Sequence, residues 1–324
     1  MRRFRVTVAL VGSAILAAAA VTGTASPGIA GSPVNHGANR TTFALLGDTP
    51  YGAVQREQFP ALVDKINDDP KVRFVLHAGD IKNGSSLCSD ELFADRVALY
   101  DTFEDPFVLT PGDNEWIDCH RVRAGGYLPT ERLGAVRDFF YPVPGGTLGR
   151  RPMQVRSQAD SGAHTTYREN VLFQRGHVVF ATVHVVGSEN DLEPWTGLPG
   201  GDQPGLRLAE FEARLAAALA WIDHAFDTAE ANDAAGVLLM MQAEPTDTPG
   251  FSAIRQLVVE RSEGFHRPVL LVHGDEHQYE QERSYAGVEN LTRLETFGDT
   301  ATQWLRVTVD VGDPGVFSWT LESL

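Results

Sequence analysis

Four aspartates each stand directly behind a glycine at the end of a short apolar run: Asp48, Asp80, Asp113 and Asp275. His277 follows the last of them by two positions, and Gln242 closes a fifth apolar run. A single Gly-Asp pair is ordinary in a loop or at a helix cap. Four of them at the ends of strand-like runs, the last in an Asp-x-His, point to a shared purpose. Carboxylates brought together repel one another, so such a group either retains protons or binds cations. With 43 Asp+Glu against 27 Lys+Arg in the chain, a bound cation is the simpler solution.

For these residues to meet, their strands must lie side by side and end at one edge, where open α/β sheets gather ligands. The pattern supplies such an arrangement. Phe43-Ala44-Leu45-Leu46 is a strand-like run, followed by a helical stretch to about residue 69 and a second strand at 72–76. A helical stretch at about 90–103 then leads to a third strand at 107–109, giving β-α-β-α-β. After a loop-rich stretch at about 143–163 come strand-like runs at 170–174 and 177–186, then a long Gly/Pro/acidic loop at 187–205. Leu208, Phe211, Leu215, Leu219, Ile222 and Phe226 recur at helical steps, with Pro204 suited to the entry. A strand at 237–241, a helix at about 252–262 and a strand at 269–272 follow, then three strand-like runs near Leu291, Trp304 and Val316. No repeat or linker interrupts the pattern, so residues 42–324 read as one layered α/β domain.

The order and spacing of these motifs resemble the calcineurin-like metallophosphoesterase superfamily, and the last motif is closest to its purple-acid-phosphatase branch. The resemblance runs from about Thr42 to Leu321. Gly47-Asp48 matches the family's first motif and Gly79-Asp80 the second, which holds the metal-bridging aspartate. Gly112-Asp113-Asn114-Glu115 stands for its Gly-Asn-His-Glu, the Gln242 to Pro245 segment for its His before Pro, and Gly274-Asp275-Glu276-His277 for its Gly-His-x-His. The resemblance implies a four-layer α/β/β/α sandwich of two mixed sheets flanked by helices. It also implies hydrolysis of phosphomonoesters or phosphodiesters through a metal-activated water.

Several positions depart from the family pattern. Pro50 stands at a metal-binding His, Asn83 at the acid-phosphatase Tyr, Asp113 at a metal-binding Asn and Asp275 at one His of the terminal pair. Gln242, or Glu244 if the loop shifts, replaces the remaining His. By analogy one cation site contains Asp80, Asp113, Asp275 and Gln242, and the other Asp48, Asp80 and His277. Two divalent cations are expected, and hard oxygen donors suit Mn²⁺, Mg²⁺ or Ca²⁺ better than zinc or iron. Asn114 takes the place of the His that contacts phosphate and can donate a hydrogen bond, but it cannot act as a general acid. His184 and His120 are the candidate substitutes. The loop with Trp195 is either a lid or a packed surface loop, and Arg150, Arg151 and Arg156 either meet a substrate anion or form a solvated basic loop. An alternative reading keeps the fold and a cation such as Ca²⁺ but not the reaction; the changes at Pro50, Asn114 and Gln242 favour it.

Composition bounds what remains. The chain has 324 residues, 43% hydrophobic, with a net charge of −16, which is a globular composition. It offers no basic stripe for nucleic acid or for polybasic membrane contact. Met1-Arg2-Arg3-Phe4-Arg5 followed by an apolar run over residues 6–21 reads as a signal peptide ending at residue 25, or as late as 30, with a flexible leader over 26–41. A retained anchor is the weaker alternative because the run is rich in small residues. Cleavage removes three arginines and no acidic residue, leaving −19. The mature protein is therefore expected to be secreted and free of the membrane, acting on a small phosphorylated substrate. An oxidising compartment favours pairing Cys88 with Cys119. No Gly-x-Ser-x-Gly, His-Glu-x-x-His or phosphate-binding Gly-Lys loop is present.

Overall fold

The computed structural model describes residues 40–160 and 162–324. The expected signal segment and the leader up to residue 39 lie outside the described residues. The first strand, β1 (Arg40–Leu46), begins two residues ahead of the expected domain start. It leads through α1 (Gly52–Asn67) to β2 (Val72–His77), and through α2 (Asp90–Tyr100) to β3 (Phe107–Leu109). Then follow α3 (Pro129–Phe140), β4 (Arg156–Ser157), β5 (Val171–Arg175), β6 (Val178–Thr182) and α4 (Gly187–Asp191). The second half contains α5 (Pro204–Ala231), β7 (Gly236–Met240), α6 (Ser252–Phe265), β8 (Val269–His273), β9 (Glu280–Arg283) and β10 (Leu291–Glu295). It closes with β11 (Gln303–Asp310) and β12 (Phe317–Ser323).

These strands form two mixed sheets, ordered β12-β11-β1-β2-β3 and β4-β5-β6-β7-β8-β10-β9. β1, β2 and β3 are parallel, as are β6, β7, β8 and β10. Side-chain alternation along the strands shows how the layers stack. Phe43 and Leu45 of β1 join Leu238 and Met240 of β7 in an apolar cluster between the sheets. Ala44 and Leu46 instead meet Phe59, Leu62, Val63 and Ile66 of α1, while Val237 and Leu239 meet Ile222 and Phe226 of α5. Both sheets are thus buried on two faces, and the fold is the expected α/β/β/α sandwich. Parallel strands put their carboxyl ends at one edge of each sheet.

Three helical elements differ from the sequence expectation, one of them α4, a short turn within the expected loop at 187–205 whose Ser188, Glu189 and Asn190 are left-handed. α3 was not expected, although Leu133, Val136 and Phe140 are buried at helical spacing behind Pro129 in the first turn. In α5 the expected stripe is buried at Ile222 and Phe226 and partly so at Leu215 and Leu219, but Leu208 is exposed and the buried face also takes in Arg214, Ala218, Trp221 and Ala225. Among the described residues no helix is long and apolar enough to cross a membrane.

Candidate metal centre

Asp48, Asp80 and Asp113 lie just beyond β1, β2 and β3 of one sheet, and Asp275 lies just beyond β8 of the other. One ligand atom from each of Asp48, Asp80 and His277 falls within 4.8 Å of the others, and the same holds for Asp80, Asp113 and Asp275. Asp80 belongs to both groups. The sheets therefore bring together all four aspartates and His277, in two groups that share Asp80. Asp48, Asp80, Asp275 and His277 all have positive φ, between 51° and 82°. Aspartate tolerates this conformation better than most residues, and such backbone clusters at functional sites.

The glycines of the motifs answer a steric demand. A Cβ at Gly112 would stand 1.9 Å from Asp80 Oδ1, and one at Gly274 would stand 2.1 Å from Asp48 Oδ2. Each glycine makes room for the carboxylate delivered by a different strand. Asp80 is then held by three donors. Tyr51 Oη donates to Oδ2 at 2.9 Å, Asn114 Nδ2 donates to Oδ2 at 2.6 Å, and the Asn114 N–H donates to Oδ1 at 3.1 Å. Asp48 accepts the Asp275 N–H at 3.1 Å and faces His277 Nε2 at 3.5 Å, while His277 Nδ1 lies 2.8 Å from Asp299 Oδ1.

The electrostatics are those of crowded, buried acid. Burial, then Asp113, Glu115, Asp48 and Asp275, push Asp80 well above the carboxylate range. Burial, then Asp113 and Asp48, raise Asp275 to about 8. Burial also raises Asp48, against the pull of His277. His277 moves the other way, up to about 9, because Asp48 and Asp299 stabilise its cation. Among the described residues no Arg or Lys forms an ion pair with the four aspartates. The donor set of carboxylate oxygens and one imidazole fits hard divalent cations, whose charge would replace the missing partners.

A cleft of about 320 Å³ opens over this cluster, and Tyr51, Asn114, Asp118, Arg121, Asp275 and His277 are among the residues lining it. Tyr51, Asp118 and Arg121 were not anticipated from sequence. The one signal for Tyr51 was its place three residues after Asp48 in the first motif. Asp118 and Arg121, an ion pair, follow the third motif on a short turn that carries no distinctive pattern. Burial and Asp113 push Asp118 up to about 8. Behind it, Lys82 is fully buried, and desolvation lowers its amine to about 8 despite Glu115 and Asp118.

Other expected positions are corrected. Gln242 is fully buried; its Oε1 accepts the Gly187 N–H at 2.7 Å and its Nε2 donates to Asp275 Oδ1 at 2.6 Å. It therefore braces Asp275, and the atom turned toward the cluster is a nitrogen donor rather than a ligand oxygen. Glu244 is bound to Tyr285 and Arg293. Asn114 stands at the cluster but clamps Asp80 and Tyr51, so its amide is committed to positioning. His184 does not line the cleft: strand alternation puts Val183 and Val185 in the helix-facing core and turns His184 toward Glu169, 2.9 Å away, and Trp116. His120 accepts the Gly197 N–H at 3.0 Å and does not line the cleft either. Trp195 is wholly buried with its Nε1 donating to Asp191, which identifies a packed loop rather than an open lid. Arg150, Arg151 and Arg156 are absent from the cleft lining, and Arg151 pairs with Glu104 and Asp105.

Cys88 and Cys119 form a disulfide with a Cα–Cα distance of 5.7 Å. It links the loop after β2 to the turn after β3, the two connections that carry Asp80 and Asp113. In the chain-entropy view, closing such a loop adds about 3–4 kcal/mol. Disulfides of this kind belong to non-cytosolic compartments.

Two solved structures are similar to this chain at very low identity. One is described as GAP50, the anchor in the inner membrane complex of Plasmodium, with 9% identity, a TM-score of 0.47, and coverage of 88% of this chain and 89% of that one. The other is the calcineurin-like phosphoesterase YfkN from Bacillus subtilis, with 10% identity, a TM-score of 0.42, and coverage of 88% and 90%. No curated protein sequence matches this chain. The family model for calcineurin-like phosphoesterases matches residues 41–279, the stretch from β1 through the Asp-x-His of the last motif, and the chain belongs to that family.

Proposed function

We propose that this protein is an exported, metal-dependent phosphoesterase that hydrolyses small phosphomonoesters or phosphodiesters. The observation that carries the reading is the pair of ligand groups sharing Asp80, assembled from the ends of strands in two sheets. A bound pair of divalent cations, Mn²⁺, Mg²⁺ or Ca²⁺ by the hardness of the donors, supplies Lewis acidity and an activated water. Asp48, Asp80 and His277 hold one cation; Asp80, Asp113 and Asp275 hold the other. Tyr51 and Asn114 fix the shared carboxylate, and Gln242 fixes Asp275. Among the described residues, Arg121 is the one Arg or Lys lining the cleft, and it is suited to a phosphoryl oxygen. The basic and apolar N-terminus together with the disulfide supports export.

The test is a hydrolysis assay on chelator-stripped protein, with p-nitrophenyl phosphate and bis-p-nitrophenyl phosphate, before and after adding each cation. Turnover should return with cation and disappear in Asp80→Asn. A specific observation favours the second reading, a cation-binding member without turnover: neither His184 nor His120 reaches the cleft, and Asn114 cannot protonate a leaving group. Tight cation binding with no turnover across a broad ester panel would establish that reading instead.

A further inference from the structure

The segment following β6 adopts a conformation that L-residues avoid. Ser188, Glu189 and Asn190 have φ of 53–54° and ψ of 41–43°, and Asp191 has φ of 70°. A run of left-handed non-glycine residues is costly and persists only where its surroundings overdetermine it. Here they do. Arg214, fully buried on α5, donates to the Asn190 carbonyl oxygen at 2.9 Å and also to Asn190 Oδ1, while Asn190 Nδ2 donates to the Gly250 carbonyl oxygen at 3.1 Å.

This turn is pressed against the aspartate cluster. A Cβ at Gly187 would stand 2.7 Å from Asp275 Oδ1 and 2.9 Å from Asp113 Oδ2. Ser188 Oγ lies 2.7 Å from Asp113 Oδ2. The hydroxyl donates to that carboxylate, so its own oxygen would stand within reach of a cation that Asp113 would hold. The Asp80, Asp113 and Asp275 group offers three carboxylates, and the oxygen of Gln242 is engaged by the Gly187 N–H. Ser188 supplies a neutral oxygen on the Asp113 side of this group.

We infer that Ser188, aimed by the left-handed turn, is a further ligand of the cation held by Asp80, Asp113 and Asp275. The inference rests on reading that group as a cation site, and the experiment separates the two. Cation affinity is measured by calorimetry on the chelator-stripped protein, on Ser188→Ala and on Ser188→Cys. The two native cysteines are joined to one another, so the substituted position carries the sole free thiol. Ser188→Ala should bind Mn²⁺ about tenfold more weakly. Ser188→Cys titrated with Cd²⁺ should develop a thiolate-to-metal charge-transfer band that saturates with binding and is lost when Asp275→Ala is added. Cd²⁺ bound to Ser188→Cys without that band, or unchanged Mn²⁺ affinity in Ser188→Ala, would overturn the role of Ser188 while leaving the cation site standing. If the unsubstituted protein binds no divalent cation, the site itself is refuted and Ser188 with it.

Discussion

The aspartate cluster and the pocket around Glu169 bury carboxylates to the same depth and treat them in opposite ways. Asp48, Asp80 and Glu169 are all 1% exposed or less. Glu169 meets the guanidinium of Arg137 through both nitrogens of its fork, with the shortest contact at 2.6 Å, and His184 Nδ1 lies 2.9 Å away. Burial pushes Glu169 up, but Arg137 and His184 outweigh it and hold the carboxyl well below the usual range. Asp80 has neutral donors only, and burial together with Asp113, Glu115, Asp48 and Asp275 outweighs the nearby His277, so it moves upward. One site has its own buried arginine, whereas the other sets four aspartates against a single histidine, with no Arg or Lys ion pair to them among the described residues. A buried charge is therefore informative about function only after its partners have been counted.

Removing Arg137 should make the first region resemble the second. Arg137→Met leaves Glu169 buried without its main partner and should destabilise the protein by about 3–5 kcal/mol. Denaturant unfolding reads the loss, and cation stoichiometry should not change. The converse experiment relieves the cluster. Asp80→Asn should reduce cation-dependent turnover by about 10²–10³-fold, yet raise the melting temperature of the stripped protein, because one of the mutually repelling acids is gone. A stripped Asp80→Asn protein that melts lower than the parent would contradict the contrast.

The pH dependence should also separate the regions. Asp275 titrates near 8 when folded against 3.8 unfolded. Between those values the folded state binds more protons than the unfolded one, so stability contributed by this group falls as pH rises. The stripped protein should accordingly lose stability between about pH 4 and pH 8. Added cation should restore it, with proton release on binding and a larger thermal shift at pH 8 than at pH 5. Equal shifts at both values would remove the argument that the cluster is uncompensated. A smaller effect is expected at Tyr51. Tyr51→Phe deletes one hydrogen bond to Asp80, which at about 0.5–1.5 kcal/mol amounts to roughly a threefold to tenfold loss in kcat/KM or cation affinity. His184→Gln, in contrast, should move the unfolding midpoint and leave cation affinity unchanged; a weakened cation affinity would return His184 to the site.

Much of this site could be read from the sequence because its logic is local. A strand, a glycine and an aspartate recur four times, and each strand end is a few residues long, so Asp48, Asp80, Asp113, Asp275 and His277 were identifiable, and the resemblance their motifs carry implied the sandwich that gathers them. The parts that escaped depend on directions and distances across the fold. Gln242 had the right chemistry and position, but its amide is turned so that nitrogen faces Asp275. His184 sat at the correct edge of the sheet, but strand alternation pointed it at Glu169. Tyr51 and Asn114 converge on one carboxylate from loops 63 residues apart, and nothing in either local pattern announces the meeting.

The sequence by itself determined the ligand chemistry, since side-chain type decides which cations a site can hold and glycine decides where a carboxylate can approach. Its motifs also implied the layer order, through their resemblance to the family pattern. Tertiary structure decided which acids were paired and which were left uncompensated, because pairing depends on a few ångströms between residues remote in the chain. It decided as well that Ser188 stands beside Asp113: only a turn clamped by Arg214 can hold three successive residues in a left-handed conformation that none of them favours alone.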